Sequence, residues 1–189
     1  YPNARRINTK PMPSAGGLSI VIAFSIATLV FIPMLTSTTA PIKSYLSYTL
    51  PVVGAGWIIA LTGLIDDVKE LSAKKKMIGI LLAASLVWFL TDFRLNDFKI
   101  PFGGPLLHFE PWLSYLLTVI WIVAITNAVN LIDGLDGLVS GVSIISLVTM
   151  GIVSYFFLPV PNLFLTMTIF VLVASIAGFF PFNYHPAIL

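Results

Sequence analysis

The sequence predicts an all-α, polytopic membrane domain, and three observations carry that prediction. Hydrophobic residues make up 58% of the 189 and charged residues only 10%, against roughly 25% charged in a soluble domain, and the mean hydropathy is +0.99. Charge is also unevenly spread: from Gly17 to Ile65 the single charged side chain is Lys43, and from Gly137 to Leu189 there is none. Finally, the apolar runs approach or reach the roughly 20 residues that cross a bilayer core. A soluble chain of this size cannot cover its surface with the polar residues that remain. With no cysteine, disulfides and thiolate metal sites are excluded.

Six apolar runs qualify as spans: Gly17–Leu35, Leu46–Ile65, Met77–Thr91, Trp112–Ile132, Leu138–Leu158 and Leu163–Phe180. Tyr1 to Ser14 is polar, basic and proline-rich, and the run after it is too long for a signal peptide, so the first span reads as retained. Pro51 and Gly54-Ala55-Gly56 interrupt the second span. Membrane helices tolerate such breaks where neighbours re-satisfy the backbone, and small residues invite close packing. The third run, only 15 residues long, spans where the bilayer thins or its flanks snorkel. In the loop Asp92–Pro111, Phe93, Leu95, Phe98 and Ile100 flank Asn96-Asp97, and Pro101-Phe102-Gly103-Gly104-Pro105 follows. That pattern suits a short external β-hairpin on the membrane surface, or an irregular loop. Pro159 and Pro161 mark the turn between the last two spans. Residues 1–189 read as a single transmembrane domain. With no initial Met and an end just past an apolar segment, it is expected to be a piece of a longer chain, truncated at both ends.

Basic residues set the orientation. Arg5, Arg6 and Lys10 precede the first span, and Lys69, Lys74, Lys75 and Lys76 separate the second from the third. The opposite loops hold only Lys43, Arg94 and Lys99, which makes residue 1 cytoplasmic by the positive-inside rule. Two acidic clusters, Asp66-Asp67 and Asp133 with Asp136, then fall on the cytoplasmic side, where they are expected to form one anionic pocket. Carboxylates at the edge of hydrocarbon are costly and mark functional sites by default. Asp66 and Asp67 repel each other and the negative pole of the helix end, which a divalent cation relieves. A solvated loop is the other reading of that pair.

Asn127, Asn130, Asp133 and Asp136 recur every third residue, with Gly134 and Gly137 beside them to let the backbone turn. Carboxamides near the end of an apolar span need partners. Helix packing is the alternative to ligand binding, but four polar groups and two glycines in so short a stretch exceed what packing requires. Lys74-Lys75-Lys76 reads as a headgroup and topology anchor, with phosphate attraction as the other reading. His108 reads as incidental and His185, beside Asn183, as structural.

Leu64-Ile65-Asp66-Asp67, Leu71-Ser72-Ala73-Lys74, Ile100-Pro101-Phe102-Gly103-Gly104 and Asn127–Gly137 together resemble the polyprenyl-phosphate N-acetylhexosamine-1-phosphate transferases. Lys10-Pro11-Met12-Pro13 followed by Gly16-Gly17 is similar to their N-terminal signature. The resemblance covers essentially the whole chain, and Asn127–Gly137 is its most specific part. The Pro-Phe-Gly-Gly segment favours the branch that uses UDP-N-acetylglucosamine and undecaprenyl phosphate, at the first step of lipid-linked teichoic acid, O-antigen or related cell-envelope polymers. The phospho-N-acetylmuramoyl-pentapeptide transferases are the alternative branch.

That resemblance implies a Mg²⁺-dependent phosphotransfer, with Mn²⁺ as a substitute, in which a lipid phosphate attacks the β-phosphorus of a UDP-sugar and UMP leaves. Asp66 and Asp67 match the catalytic, metal-binding pair. Lys10, Asn127, Asn130, Asp133, Asp136 and Asn183 match substrate-binding positions. The implied partners are the UDP-sugar, the polyprenyl phosphate, the bacterial plasma membrane and a second copy in a homodimer, with no nucleic acid. The family commonly has His where Asn8 stands and Arg where Ser14 stands. It also continues, past a segment like Phe182–Ala187, into a Gly-Asp motif that holds the metal and then a His-bearing loop; without these the chain alone is expected to be inactive. An ion-coupled transporter and an inactive scaffold are the rivals from other classes. The first would want midplane polar groups and inverted repeats, and the sequence shows no repeat.

Overall fold

A computed structural model of the protein describes residues 16–31, 33–34, 42–158 and 163–184. Lys10, the Pro159 and Pro161 turn and His185 lie outside the described residues. The elements are helices α1 (Gly16–Ile26, continued in wider, π-helical winding over Ala27–Phe31), α2 (Ile42–Lys69) and α3 (Ala73–Leu90), strands β1 (Asp97–Lys99) and β2 (Leu106–His108), and helices α4 (Pro111–Ile132), α5 (Leu138–Phe156) and α6 (Leu163–Asn183). The all-α expectation holds, with the hairpin as its only sheet among the described residues. Four stretches, Tyr45–Lys69 in α2 and the whole of α4, α5 and α6, are long and apolar enough to cross a membrane. Their outward faces need lipid, because only 11–17% of each is buried inside the protein. Gly16–Val30 forms a shorter apolar helix, and α3 is 18 residues long with three lysines in its first turn. The protein is a polytopic membrane protein.

Two compact units make up the chain. One holds α2, α3, the hairpin and α4 up to Leu131. Here α2 and α3 pack through small residues: Ala83 and Ala84 of α3 are fully buried, and Val53 and Ala55 of α2 are buried. A Cβ on Gly79 would lie 2.3 Å from Thr62 Oγ1, and one on Gly54 would lie 4.0 Å from Leu86 Cδ2. Close backbone approach of this kind replaces the hydrophobic drive that lipid removes. The pairs Gly54 with Leu86 and Thr62 with Gly79 run in opposite senses, which sets an antiparallel register. At the far end of α3, Ser85 Oγ lies 2.9 Å from Tyr115 OH, and Trp88 stacks edge-on against Tyr115 at 5.3 Å. Arg94 covers the Trp88 ring at 4.6 Å and donates to the Trp88 and Thr91 carbonyls, closing the helix end as a cation should.

The hairpin is antiparallel, with Asp97 opposite His108, Phe98 opposite Leu107 and Lys99 opposite Leu106. Its tip is a tight turn in which Gly104 N donates to Pro101 O at 3.4 Å. Both central residues are left-handed, Phe102 at φ 61° and Gly103 at φ 87°. This is the mirror-image turn that suits strand twist, and it ordinarily takes Asn-Gly. A Phe in the first position costs on the order of 1–2 kcal/mol.

The second unit holds α1, α5 and α6. Gly151 of α5 meets the Phe170 ring of α6, and Gly16 of α1 meets Phe179 of α6, both closely enough that a Cβ would clash. Ser154 and Thr166, buried in apolar surroundings, satisfy each other at 3.0 Å.

Candidate active site

In the first unit, α2 continues beyond the expected end of its span and stops at Lys69. Asp66 and Asp67 therefore occupy its last turn rather than a loop. Successive side chains on a helix point about 100° apart, so the two carboxylates separate. Asp66 faces the start of α3. Its Oδ2 lies 2.6 Å from Lys76 Nζ, its Oδ1 accepts from Leu71 N at 2.8 Å, and its carbonyl accepts from Glu70 N at 2.8 Å. Glu70 adopts φ 47°, the left-handed backbone that reverses the chain between α2 and α3. Asp66 thus organises this turn with both backbone and side chain. Asp67 is exposed, and among the described residues nothing pairs with it.

The first turn of α3 carries Lys74, Lys75 and Lys76 and no acid, a poor match to the positive pole of a helix start. The Asp66–Lys76 pair offsets part of that mismatch. With the Lys76 side chain 45% exposed, the pair contributes no more than about 1 kcal/mol. The sequence marks these lysines as a headgroup and topology anchor, with phosphate attraction as the other reading; the partner of Lys76 emerges only once the turn is folded.

Among the described residues there is no group of three or more His, Asp or Glu able to hold a metal. A hard divalent cation nonetheless often takes one or two carboxylates and completes its shell with substrate phosphates and water. Asp67 fits that pattern as an exposed carboxylate, and Asp66 fits it only by sharing its oxygens with Lys76.

Asn127 and Asn130 lie in the last two turns of α4. Asn127 Nδ2 donates to Val123 O at 2.8 Å, which leaves its Oδ1 for other partners, and Asn130 is exposed. The helix ends at Ile132, so Asp133 and Asp136 stand in the turn that follows and the every-third spacing is not one helical row. Gly134 and Gly137, weak helix formers, explain the break.

In the second unit, Asp133 is exposed and Asp136 half-buried. Gly137, at φ 74°, opens α5. Asn183, near the end of α6, reaches this point: its Oδ1 accepts from Gly137 N at 3.2 Å and from Ser140 Oγ at 2.9 Å. A carboxamide distant in sequence therefore caps α5, and only the Nδ2 of Asn183 remains to meet a ligand. Ser140, buried and three residues past the cap, was missed by sequence reasoning, and a serine at that offset from a helix start was the available signal. Asn183→Leu is expected to lower thermal stability by the loss of this cap, about 0.5–2 kcal/mol, while Asn183→Asp, which keeps the acceptor, stays close to the parent. Equal melting temperatures for the Leu variant and the parent would remove the cap from the account.

Residues 49–189 match the family described as Glycosyl transferase family 4. The chain belongs to this family. Among curated relatives, it is 38% identical over 187 residues to the "Probable undecaprenyl-phosphate N-acetylglucosaminyl 1-phosphate transferase" of Bacillus subtilis, covering 98% of this chain and 48% of that protein. It is 34% identical over 131 residues to the decaprenyl-phosphate N-acetylglucosaminephosphotransferase of Mycolicibacterium smegmatis, covering 68% of this chain and 31% of the relative. The phospho-N-acetylmuramoyl-pentapeptide-transferase of Staphylococcus saprophyticus is 36% identical over 188 residues, covering 93% of this chain and 55% of that one. The chain thus spans about half the length, or less, of these relatives. No solved structure matches it. The matched region of this glycosyl transferase family 4 chain contains Asp66, Asp67, Asn127, Asn130, Asp133, Asp136 and Asn183.

Proposed function

We propose that the protein transfers N-acetylglucosamine-1-phosphate from UDP-N-acetylglucosamine to a polyprenyl phosphate at the cytoplasmic face of the membrane, releasing UMP. The observation that carries this reading is the 38% identity, along 98% of the chain, to a relative named for that activity. The orientation is supported by the basic residues flanking α2 and α3.

An oxygen of the lipid phosphate attacks the β-phosphorus of the nucleotide sugar. The new P–O bond joins lipid and sugar phosphate, the bond from the β-phosphorus to the bridging oxygen breaks, and that oxygen carries the electron pair away as part of UMP. A phosphate monoester with a second pKa near 6 is largely dianionic at neutral pH, so no protein base is required. Positioning and charge neutralisation are then the main tasks. Asp67, with Asp66 beside it, would hold Mg²⁺, which when bound neutralises diphosphate charge. Asp66 keeps the α2–α3 turn in place and with it the direction in which Asp67 points. Lys76, the cation paired with Asp66, would attract phosphate. Asn127, Asn130, Asp133 and Asp136 offer hydrogen-bonding groups to the uridine and sugar, with Lys10 and the Asn183 amide as further contacts.

The test supplies membranes containing the protein at the full length of its relatives, of which this chain spans about half, with undecaprenyl phosphate and radiolabelled UDP-N-acetylglucosamine. Label is expected in the lipid fraction together with UMP. Transfer from UDP-N-acetylmuramoyl-pentapeptide instead would move the protein to the activity named for the Staphylococcus relative. Absence of transfer from either nucleotide would refute the reading.

A further inference from the structure

The β1–β2 hairpin satisfies few of the conditions under which such a structure is stable in water. All six strand residues are exposed, and a lone two-stranded ribbon that buries nothing is at best marginal. Alternation across the ribbon separates its faces. Asp97, His108, Lys99 and Leu106 share one, with the Asp97 carboxylate bonded to His108 Nδ1, and Phe98 and Leu107 share the other. Phe98 is 52% exposed and Phe102, at the tip, is completely exposed.

Position limits what can cover the apolar face. Only Phe109 and Glu110 separate β2 from the first residue of α4, so the ribbon starts within about 10 Å of that span's end. Its base is also clamped to α4. Leu95 N donates to Thr118 Oγ1 at 3.0 Å, Asn96 Oδ1 accepts from Ser114 Oγ at 2.9 Å, and Asn96 O accepts from Phe109 N at 2.8 Å. Ser114 and Thr118 are buried. The polar zone flanking the hydrocarbon core is several ångströms deep, so a ribbon so tethered has its base close to that zone. Trp112, 68% exposed at the head of α4, is the residue type that settles at that depth. Arg94 and Lys99 against Asp92, Asp97 and Glu110 leave a net charge of only −1, which suits zwitterionic headgroups rather than a strongly charged partner.

We propose that the hairpin is a membrane-seated ribbon: Phe98 and Leu107 face the acyl boundary of the leaflet opposite the Lys74–Lys76 end of α3, Phe102 enters it as a wedge, and the Asp97/Lys99/His108 face meets headgroups. Insertion explains why a phenyl ring occupies a left-handed turn position where Asn would fit more easily. The proposal is independent of the transfer reaction.

The absence of native cysteine makes the test direct. Single cysteines at Phe98, Lys99 and Phe102 of the whole chain are labelled with a nitrobenzoxadiazole fluorophore and reconstituted in phosphatidylcholine liposomes with spin-labelled quencher lipids. The expected result is blue-shifted, lipid-quenched emission at 98 and 102, at a depth of roughly 5–10 Å into the headgroup–acyl boundary, with position 99 quenched by aqueous iodide. Equal iodide quenching at all three positions overturns the proposal. So does protection at 98 and 102 that ignores lipid quenchers and grows with protein-to-lipid ratio, which marks a second copy as the cover. As a control for hairpin integrity, a label at Leu107 is read with and without Phe102→Asn, a change the turn accommodates. The label is expected to move outward with the Asn; an unchanged depth overturns the wedge.

Discussion

Asp67→Asn is expected to lower sugar-phosphate transfer by about a hundredfold or more, the size of effect seen when a directly acting charged group is removed, while leaving the melting temperature close to that of the parent. The second half of this expectation comes from the structure. Asp67 is exposed in the last turn of α2 and has no partner among the described residues, so an isosteric amide breaks no bond in the fold. Asp66→Asn should behave differently. Its amide can still accept from Leu71 N through the remaining carbonyl oxygen, but the charge opposite Lys76 is gone. Stability should fall slightly, by no more than about 1 kcal/mol for so exposed a pair, and activity should fall with the positioning of its neighbour. The measurement is radiolabel transfer from UDP-N-acetylglucosamine beside thermal unfolding of the same preparations. Full activity in Asp67→Asn would take that carboxylate out of the mechanism.

The asymmetry between the two aspartates was not legible in the sequence. Adjacent identical residues at the end of an apolar run invite a joint role. What separates them is a three-dimensional detail, the reversal at Glu70, whose positive φ brings Lys76 back to Asp66. The helices themselves were legible because lipid demands long uninterrupted apolar runs, and all six expected runs contain described helix. Their ends were not. Polar residues do not by themselves end a helix: α2 runs on through Asp66-Asp67 to Lys69, a cation at the negative pole, and α3 begins at Ala73, ahead of its apolar residues, because alanine and lysine are good helix formers. The hairpin showed in its alternation and its glycines, but its tip did not, since Phe102 is an unlikely residue for a left-handed position. Asn127 to Asp136 stood out by composition. That Asn183 would cap the following helix required knowing that α6 returns to the start of α5.

Gly79→Ala tests the other element of the site, the crossing that delivers Asp66 to Lys76. The added methyl would sit 2.3 Å from Thr62 Oγ1, 2.8 Å from its Cγ2 and 3.0 Å from its Cβ. Thr62 cannot simply swing aside, because it is β-branched with few alternative rotamers and its hydroxyl is bonded to Ile58 O at 2.7 Å. The helices must therefore separate. Overpacking of this kind costs typically 1–3 kcal/mol, less the fraction of a kcal/mol by which Ala improves an intrinsic helix preference over Gly. A fall in melting temperature of several degrees is expected. Thr62 precedes Asp66 by one helical turn and Gly79 follows Lys76 by nearly one, so separation at this point also loosens the ion pair, and transfer should decline with it. Thr62→Ala removes the two nearest atoms and leaves the Cβ at its 3.0 Å limit. In a double-mutant cycle it should recover a substantial part of the Gly79→Ala loss, since residues in contact couple. Strictly additive costs would show that the α2–α3 crossing does not close on Thr62, and the account of how Lys76 reaches Asp66 would fall with it.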